Sequence, residues 1–163
     1  MLAARAVKLM MIASLALFAF LVTFNNVTDY GANVQFVRHV LSMDTTFLDN
    51  SLAYRAITDP VLWHLGYAVI ILSEALTSLA LTAAVVELAR NLRGSAVRLG
   101  HAERFVFVGA GLGFLVWFFG FMVVGGEWFA MWQSATWNGQ ATAFGFTAMI
   151  GLVLVVLLLP ETD

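Results

Sequence analysis

The sequence contains no cysteine. That excludes disulfides, cysteine-ligated zinc, iron–sulfur clusters and thiol redox chemistry, and it leaves the redox compartment open. Charge is scarce as well: Asp, Glu, Lys and Arg make up 11% of 163 residues, against about 25% in an average soluble domain. A net charge of −2 offers no basic face, so no nucleic-acid partner is expected. There are three histidines, His39, His64 and His101, and no two share an apolar run at facing depth. Internal bis-histidine haem ligation is therefore not expected. His39 and His64 could meet near carboxylates and hold a metal, but their spacing matches no zinc signature. There is no Walker loop, no dinucleotide fingerprint and no GxSxG elbow. The alternating glycines Gly109, Gly111 and Gly113 lie in an apolar run without a preceding strand, so they do not read as a phosphate cradle. No catalytic residue, metal or cofactor is expected, and the chain is not expected to be an enzyme.

What the sequence does have is apolar side chains, at 61% of residues. More than half of a small domain's surface stays wet, so a soluble chain could not hide this excess. The implied solvent is a bilayer. A spanning helix needs about 20 mostly apolar residues. Four runs qualify, at about 7–24, 60–89, 105–124 and 142–159. Each is continuously apolar without period-2 alternation, which favours helices over barrel strands. The expected fold is an all-α membrane protein, one four-helix transmembrane domain over 1–163. The first run is too long for a signal-peptide core and lacks a small-x-small cleavage site, so it reads as a retained helix.

Lysine and arginine suggest the orientation. Arg5 and Lys8 precede the first run, and Arg90, Arg93, Arg98 and Arg104 occupy the connection 90–104. The connections 25–59 and 125–141 together hold only Arg38 and Arg55. Both termini are therefore expected in the cytoplasm, with the long connections outside a bacterial inner membrane. Asp29, Asp44, Asp49, Asp59 and Glu127 fall on that outer side.

The outer connections are patterned. Phe36, Val37, Val40 and Leu41 share one face of a short amphipathic helix, with Gln35, Arg38, His39 and Ser42 opposite. A second short helix is expected near 52–57. Asp59–Pro60 reads as an N-cap followed by proline at the first helical position. Trp128, Met131, Trp132 and Ala135 have the spacing of one helical face, beside the polar Glu127, Gln133, Asn138 and Gln140. That mixture suits an aromatic belt and also a docking surface for a protein or a lipid head group.

Glu74 stands at the midpoint of the second run. A charge at mid-membrane costs at least about 2.5–3.5 kcal/mol, so it should face protein or water. His64, Tyr67, Ile71, Glu74 and Ser78 are spaced 3, 4, 3, 4 and form one helical stripe, which should point into the bundle. No lysine or arginine lies at its depth. Glu74 is then a neutral hydrogen-bond donor, part of a wet proton or ion path, or the partner of a group on another subunit. Glu87, three residues before Arg90, reads as a solvated pair. Gly109-x-x-x-Gly113 and Ala141-x-x-x-Gly145 permit close helix approach within the chain or with a partner. Ser73, Thr77, Ala80 and Ala84 give the second run a small-residue edge.

The blocks Asn25–Tyr30 (NNVTDY), His39–Phe47 (HVLSMDTTF), Trp117–Phe121 (WFFGF), Gly126–Ser134 (GEWFAMWQS) and Trp137–Gln140 (WNGQ) resemble a bacterial family of small integral membrane proteins, domain of unknown function 2165. The likeness covers nearly the whole chain. It implies a four-helix inner-membrane protein and carries over no activity, cofactor or residue role.

The leading functional expectation is a non-catalytic accessory or assembly subunit of a larger membrane complex, with lipids and a membrane-protein partner or a second copy as neighbours. The alternatives are a small oligomeric transporter or channel using Glu74, and a quinone- or lipid-binding protein at the outer interface. The candidate functional or partner-contact residues are Glu74, His64, Tyr67, Ser78, His39, Asp29, Glu127, Trp128, Trp132 and Asn138.

Overall fold

The computed structural model describes residues 2–94 and 96–159; over 96–102 it gives the helical backbone alone. Arg98 and His101, which the sequence reading used, therefore lie outside the described side chains. Among the described residues the chain is helical without strands. Four helices are long and apolar enough to cross a membrane: Leu2–Thr28, Pro60–Arg90, Glu103–Trp128 and Gln140–Leu158. We label the helices α1 (Leu2–Thr28), α2 (Tyr30–Ser42), α3 (Pro60–Arg90), α4 (Ala96–Phe114, continuing to Trp128) and α5 (Gln140–Leu158).

The four spans form a closed ring in which α1 packs on α3, α3 on α4, α4 on α5 and α5 on α1. At one end, the terminal end, Lys8 Nζ donates to the carbonyls of Leu157 and Leu159 at 3.2 Å each. The C-terminal carbonyls of α5 have no partner within their own helix, so a cation is favourable there. Arg5 donates to the Gly94 carbonyl at 2.8 Å and ties α1 to the turn after α3. The loop end carries both long connections.

Two apolar clusters fill the ring. Ile12 and Ala16 of α1 meet Leu81, Ala84 and Leu88 of α3, Val106 of α4, and Val153 and Leu157 of α5. Nearer the loop end, Ala19, Ala110, Trp117, Ala143 and Ile150 pack together. Alanine at these contacts lets helix backbones approach closely, which is how packing works where lipid is as apolar as the core. The small-residue edge of α3 is used in this way, since Thr77 and Ala84 are fully buried.

Glycine has the same role at two positions. A Cβ on Gly109 would lie 2.7 Å from Leu81 Cγ and 3.2 Å from the Leu81 backbone nitrogen; one on Gly113 would lie 2.9 Å from Ile150 Cδ1. The GxxxG pair thus serves two different helices of the same chain, α3 and α5. The second small-residue pair does not: Ala141 and Gly145 are exposed on the outside of α5, and among the described residues nothing lies within 4 Å of a Cβ on Gly145.

Helix ends follow their sequence signals in part. Asp59 caps α3, its side chain accepting from Val61 N–H at 2.8 Å, with Pro60 next in line. α1 runs four residues past the expected end at Phe24, to Thr28. After a one-residue break at Asp29, α2 begins, burying Val34, Val37 and Val40. The expected helix near 52–57 shrinks to a 3-10 turn, Ala53–Arg55. The third span changes register: Leu115–Trp128 is a π-helix, and its last turn is closed by Phe129 N–H donating to Val124 O at 3.0 Å. Gly120 and Gly125 stand one π turn apart, and a Cβ on Gly125 would lie 3.5 Å from the Gly120 carbonyl oxygen.

The Gly109 contact is directly testable. Gly109→Ala should lower stability in detergent by about 1–3 kcal/mol, as overpacking of a tight contact does. Adding Leu81→Ala should cost less than the sum of the two single changes, while Gly145→Ala should stay within about 0.5 kcal/mol. Thermal unfolding followed by circular dichroism reads all four proteins, and an unaltered Gly109→Ala would contradict the packing.

Candidate functional site

The expected stripe on α3 does point inward. Tyr67, Glu74 and Ser78 are buried and Ile71 is half-buried; His64, at the end of the stripe, is exposed. Glu74 is 2% exposed. Its partner lies on the same chain: Asn26 Nδ2 donates to Glu74 Oε2 at 2.7 Å. The Asn26 carbonyl in turn accepts from Tyr67 O–H at 2.9 Å. Asn26 thus links α1 to α3 through both its side chain and its backbone. Sequence reasoning missed it, because α1 was expected to stop at Phe24 and Asn26 fell in a loop. One signal could have found it. Ile12, Ala16 and Ala19 are the buried face of α1, and seven residues beyond Ala19, two helical turns on, is Asn26.

The pairing also fixes the level of Glu74. It is the midpoint of α3, but it meets the last turn of α1, and the same cavity that it lines is bounded by Thr142, Ala143 and Phe146 in the first turns of α5. α3 therefore overhangs α1 and α5 at the loop end, and at Glu74 the four-helix core gives way to α3 and the continuation of α4.

That cavity measures about 410 Å³ and also reaches Asn33, Phe36, Trp117, Phe121, Trp137 and Asn138. Its aromatic walls are held by one another. Trp117 meets Phe146 edge-on at 5.8 Å, Phe36 stacks on Phe121 at 5.7 Å, and Trp137 stacks on His39 at 4.6 Å. A second cavity of about 460 Å³ is lined almost wholly by apolar groups from α2, α3 and the π-helix, including Val40, Gly66, Val69, Leu115, Phe119 and Val124. The two share Phe36, Val37, Ile70 and Phe121 as a common wall. The π-helix supplies much of the apolar lining, with Gly120 and Gly125 in it.

The remaining candidates are dispersed. Ser78 Oγ contacts the Ala16 carbonyl at 3.5 Å inside the bundle. His64 Nδ1 is 2.8 Å from Tyr30 O–H, and the two rings stack. Tyr30 then meets Tyr67 ring to ring at 4.8 Å, so the hydrogen-bonded chain from His64 is interrupted before Asn26. His39 bonds Asp44 at 2.8 Å, apart from His64. Among the described residues no three of His, Asp and Glu gather as a metal site. Asp29 is exposed at the α1–α2 break.

In the third connection the expected single helical face does not form. Ala130 takes a left-handed conformation (φ 49°), which turns the chain, so Met131 is buried while Trp128 and Trp132 are about half exposed. Nor do its polar groups cluster. Gln133 accepts from Phe47 N–H, Asn138 accepts from Gln140 N–H at the start of α5, Gln140 packs on Gly126, and Glu127 is exposed. Arg55 lies over the Trp128 ring at 4.4 Å and donates to its carbonyl. Thr45 Oγ1 donates to Ser134 Oγ at 2.8 Å, so the two connections are laced into one cap. Of the candidate residues, Glu74, Tyr67 and Asn138 share the polar cavity.

Removing the amide tests the central pair. Asn26→Leu leaves a buried carboxyl without its donor and should cost about 1–3 kcal/mol, whereas replacing both partners with apolar groups is far milder. The double variant Asn26→Leu/Glu74→Leu should therefore be more stable than Asn26→Leu alone. Denaturation midpoints in one detergent decide it, and a double variant no better than the single would contradict the pairing.

No curated protein and no solved structure matches this sequence. The model of one family, described as "Predicted small integral membrane protein (DUF2165)", matches residues 4–160. The chain, with its four membrane-spanning helices, belongs to that family of small integral membrane proteins.

Proposed function

We propose that this protein is a non-catalytic binder of an amphiphilic membrane molecule, a lipid or quinone, held at the loop end of the bundle. The observation that carries this reading is the pair of adjoining cavities, one almost wholly apolar and one of mixed lining that includes Glu74, Asn26 and Asn138, with Phe36, Val37, Ile70 and Phe121 common to both. Ligand sites are concave and mostly apolar, with a few placed polar groups. Here Glu74, Asn26 and Asn138 are those groups. In this reading the termini face the cytoplasm of a bacterial inner membrane and the site opens toward the outer leaflet. The support is the charge distribution, with Arg5, Lys8, Arg90, Arg93 and Arg104 toward the terminal end and only Arg38 and Arg55 in the loop-end connections.

A second reading, an accessory subunit of a larger complex, has its own observation. Tyr54 and Trp128 stay at least half exposed beside Arg55, and Trp132, edge-on to Phe47, is half exposed on the same cap. Tryptophan and arginine are favoured at protein contacts as well as at membrane boundaries.

The binding reading is tested by mass spectrometry of the purified protein. The wild type should retain an amphiphile in near-stoichiometric amount. Gly66→Phe, which fills the apolar groove, should lose it, while Gly145→Phe on the outside of α5 should keep it. No retained amphiphile in the wild type, or full retention in a folded Gly66→Phe, would overturn the reading.

A further inference from the structure

The polar cavity carries a chemical preference of its own. Glu74 Oε2 accepts from Asn26, while Oε1 has no protein partner among the described residues. Glu74 is 2% exposed and lines the cavity. Among the described residues no lysine or arginine lines either cavity, so none of them answers the carboxylate or receives an anionic ligand. The rings of Tyr67, Trp117, Phe121, Trp137 and Phe146 line the same cavity as Glu74. Aromatic faces attract an organic cation, and a carboxylate among them strengthens that attraction in a desolvated site. A phosphate or carboxylate head would meet the carboxylate and the negative faces of the rings without a basic partner. A zwitterionic phospholipid would bring such a phosphate with its amine.

We infer that the site takes an amphiphile with an ammonium head and no anionic group. The head sits at Glu74 Oε1, and the chain lies along Phe36 and Phe121, which line both cavities. This assignment rests on the amphiphile-binding reading above and narrows it to one head-group class.

The experiment is equilibrium binding of radiolabelled dodecyltrimethylammonium and, separately, of dodecanol to the full chain in phosphatidylcholine nanodiscs. Saturable binding is measured for the wild type, Glu74→Gln and Asn33→Lys, the last placing a fixed cation in the cavity wall. The wild type should bind the cation roughly tenfold or more tightly than either variant does, the scale of a desolvated contact of an organic cation with aromatic faces and a carboxylate. Dodecanol, which carries no charge, should change far less between the three proteins than the cation does. The lysine variant keeps the test decisive if Glu74→Gln fails to fold. Equal binding of cation and dodecanol, unaltered by either substitution, would overturn the ammonium assignment and leave the amphiphile reading standing. Binding of neither probe to the wild type would overturn both.

Discussion

A carboxyl group enclosed among membrane helices must find its hydrogen bonds in protein, because lipid offers none. Here Glu74 finds one in Asn26 at 2.7 Å. Much of the loop end follows from that contact. It requires α1 to remain helical past Phe24, so that the amide reaches the bundle interior. It brings the Asn26 carbonyl to Tyr67 O–H, and Tyr67 in turn packs on Tyr30 at the start of α2. α2 then lies against α3, with Val37 and Leu41 beside Gly66. This polar contact thus lies in the last turn of the membrane helix, three residues before the Asp29 break that starts the loop helix.

At the level of this contact α1 ends and α5 begins, and a cavity rather than a closed core lies beside Glu74. The terminal half of the ring, from Ile12 to Leu157, is filled by aliphatic side chains and brought close by alanine and Gly109. The loop half is bounded by rings, by the π-helix Leu115–Trp128 and by the cap of two interlaced connections. π-helical turns occur often at functional sites, and this one lines the apolar groove. The protein therefore divides along its length into a packed base and a hollow, aromatic upper half, and the polar group whose burial is most costly stands where the two meet.

The spans were legible because twenty apolar residues in a row have few alternatives, and Asp59–Pro60 gave the start of α3 to the residue. The inward stripe from Tyr67 to Ser78 was legible from spacing alone. Asn26 was not, because hydropathy cuts a span at its first amides even when the helix continues. The face of Trp128, Met131 and Trp132 failed for a conformational reason: the π register and the left-handed Ala130 break the 3.6-residue period on which the spacing argument rests. The two cavities were invisible in sequence, since they arise from the offset between helices and not from any one of them.

The absence of native cysteine gives a direct test of the central contact. Asn26→Cys and Glu74→Cys, introduced together, are the only two thiols in the chain, and a short, flexible bis-methanethiosulfonate can bridge them. The expected product is a bridge within one chain, read as a single added spacer at monomer mass. A dimer linked between chains, or two thiols modified separately, would contradict the intrachain pairing on which the site is built.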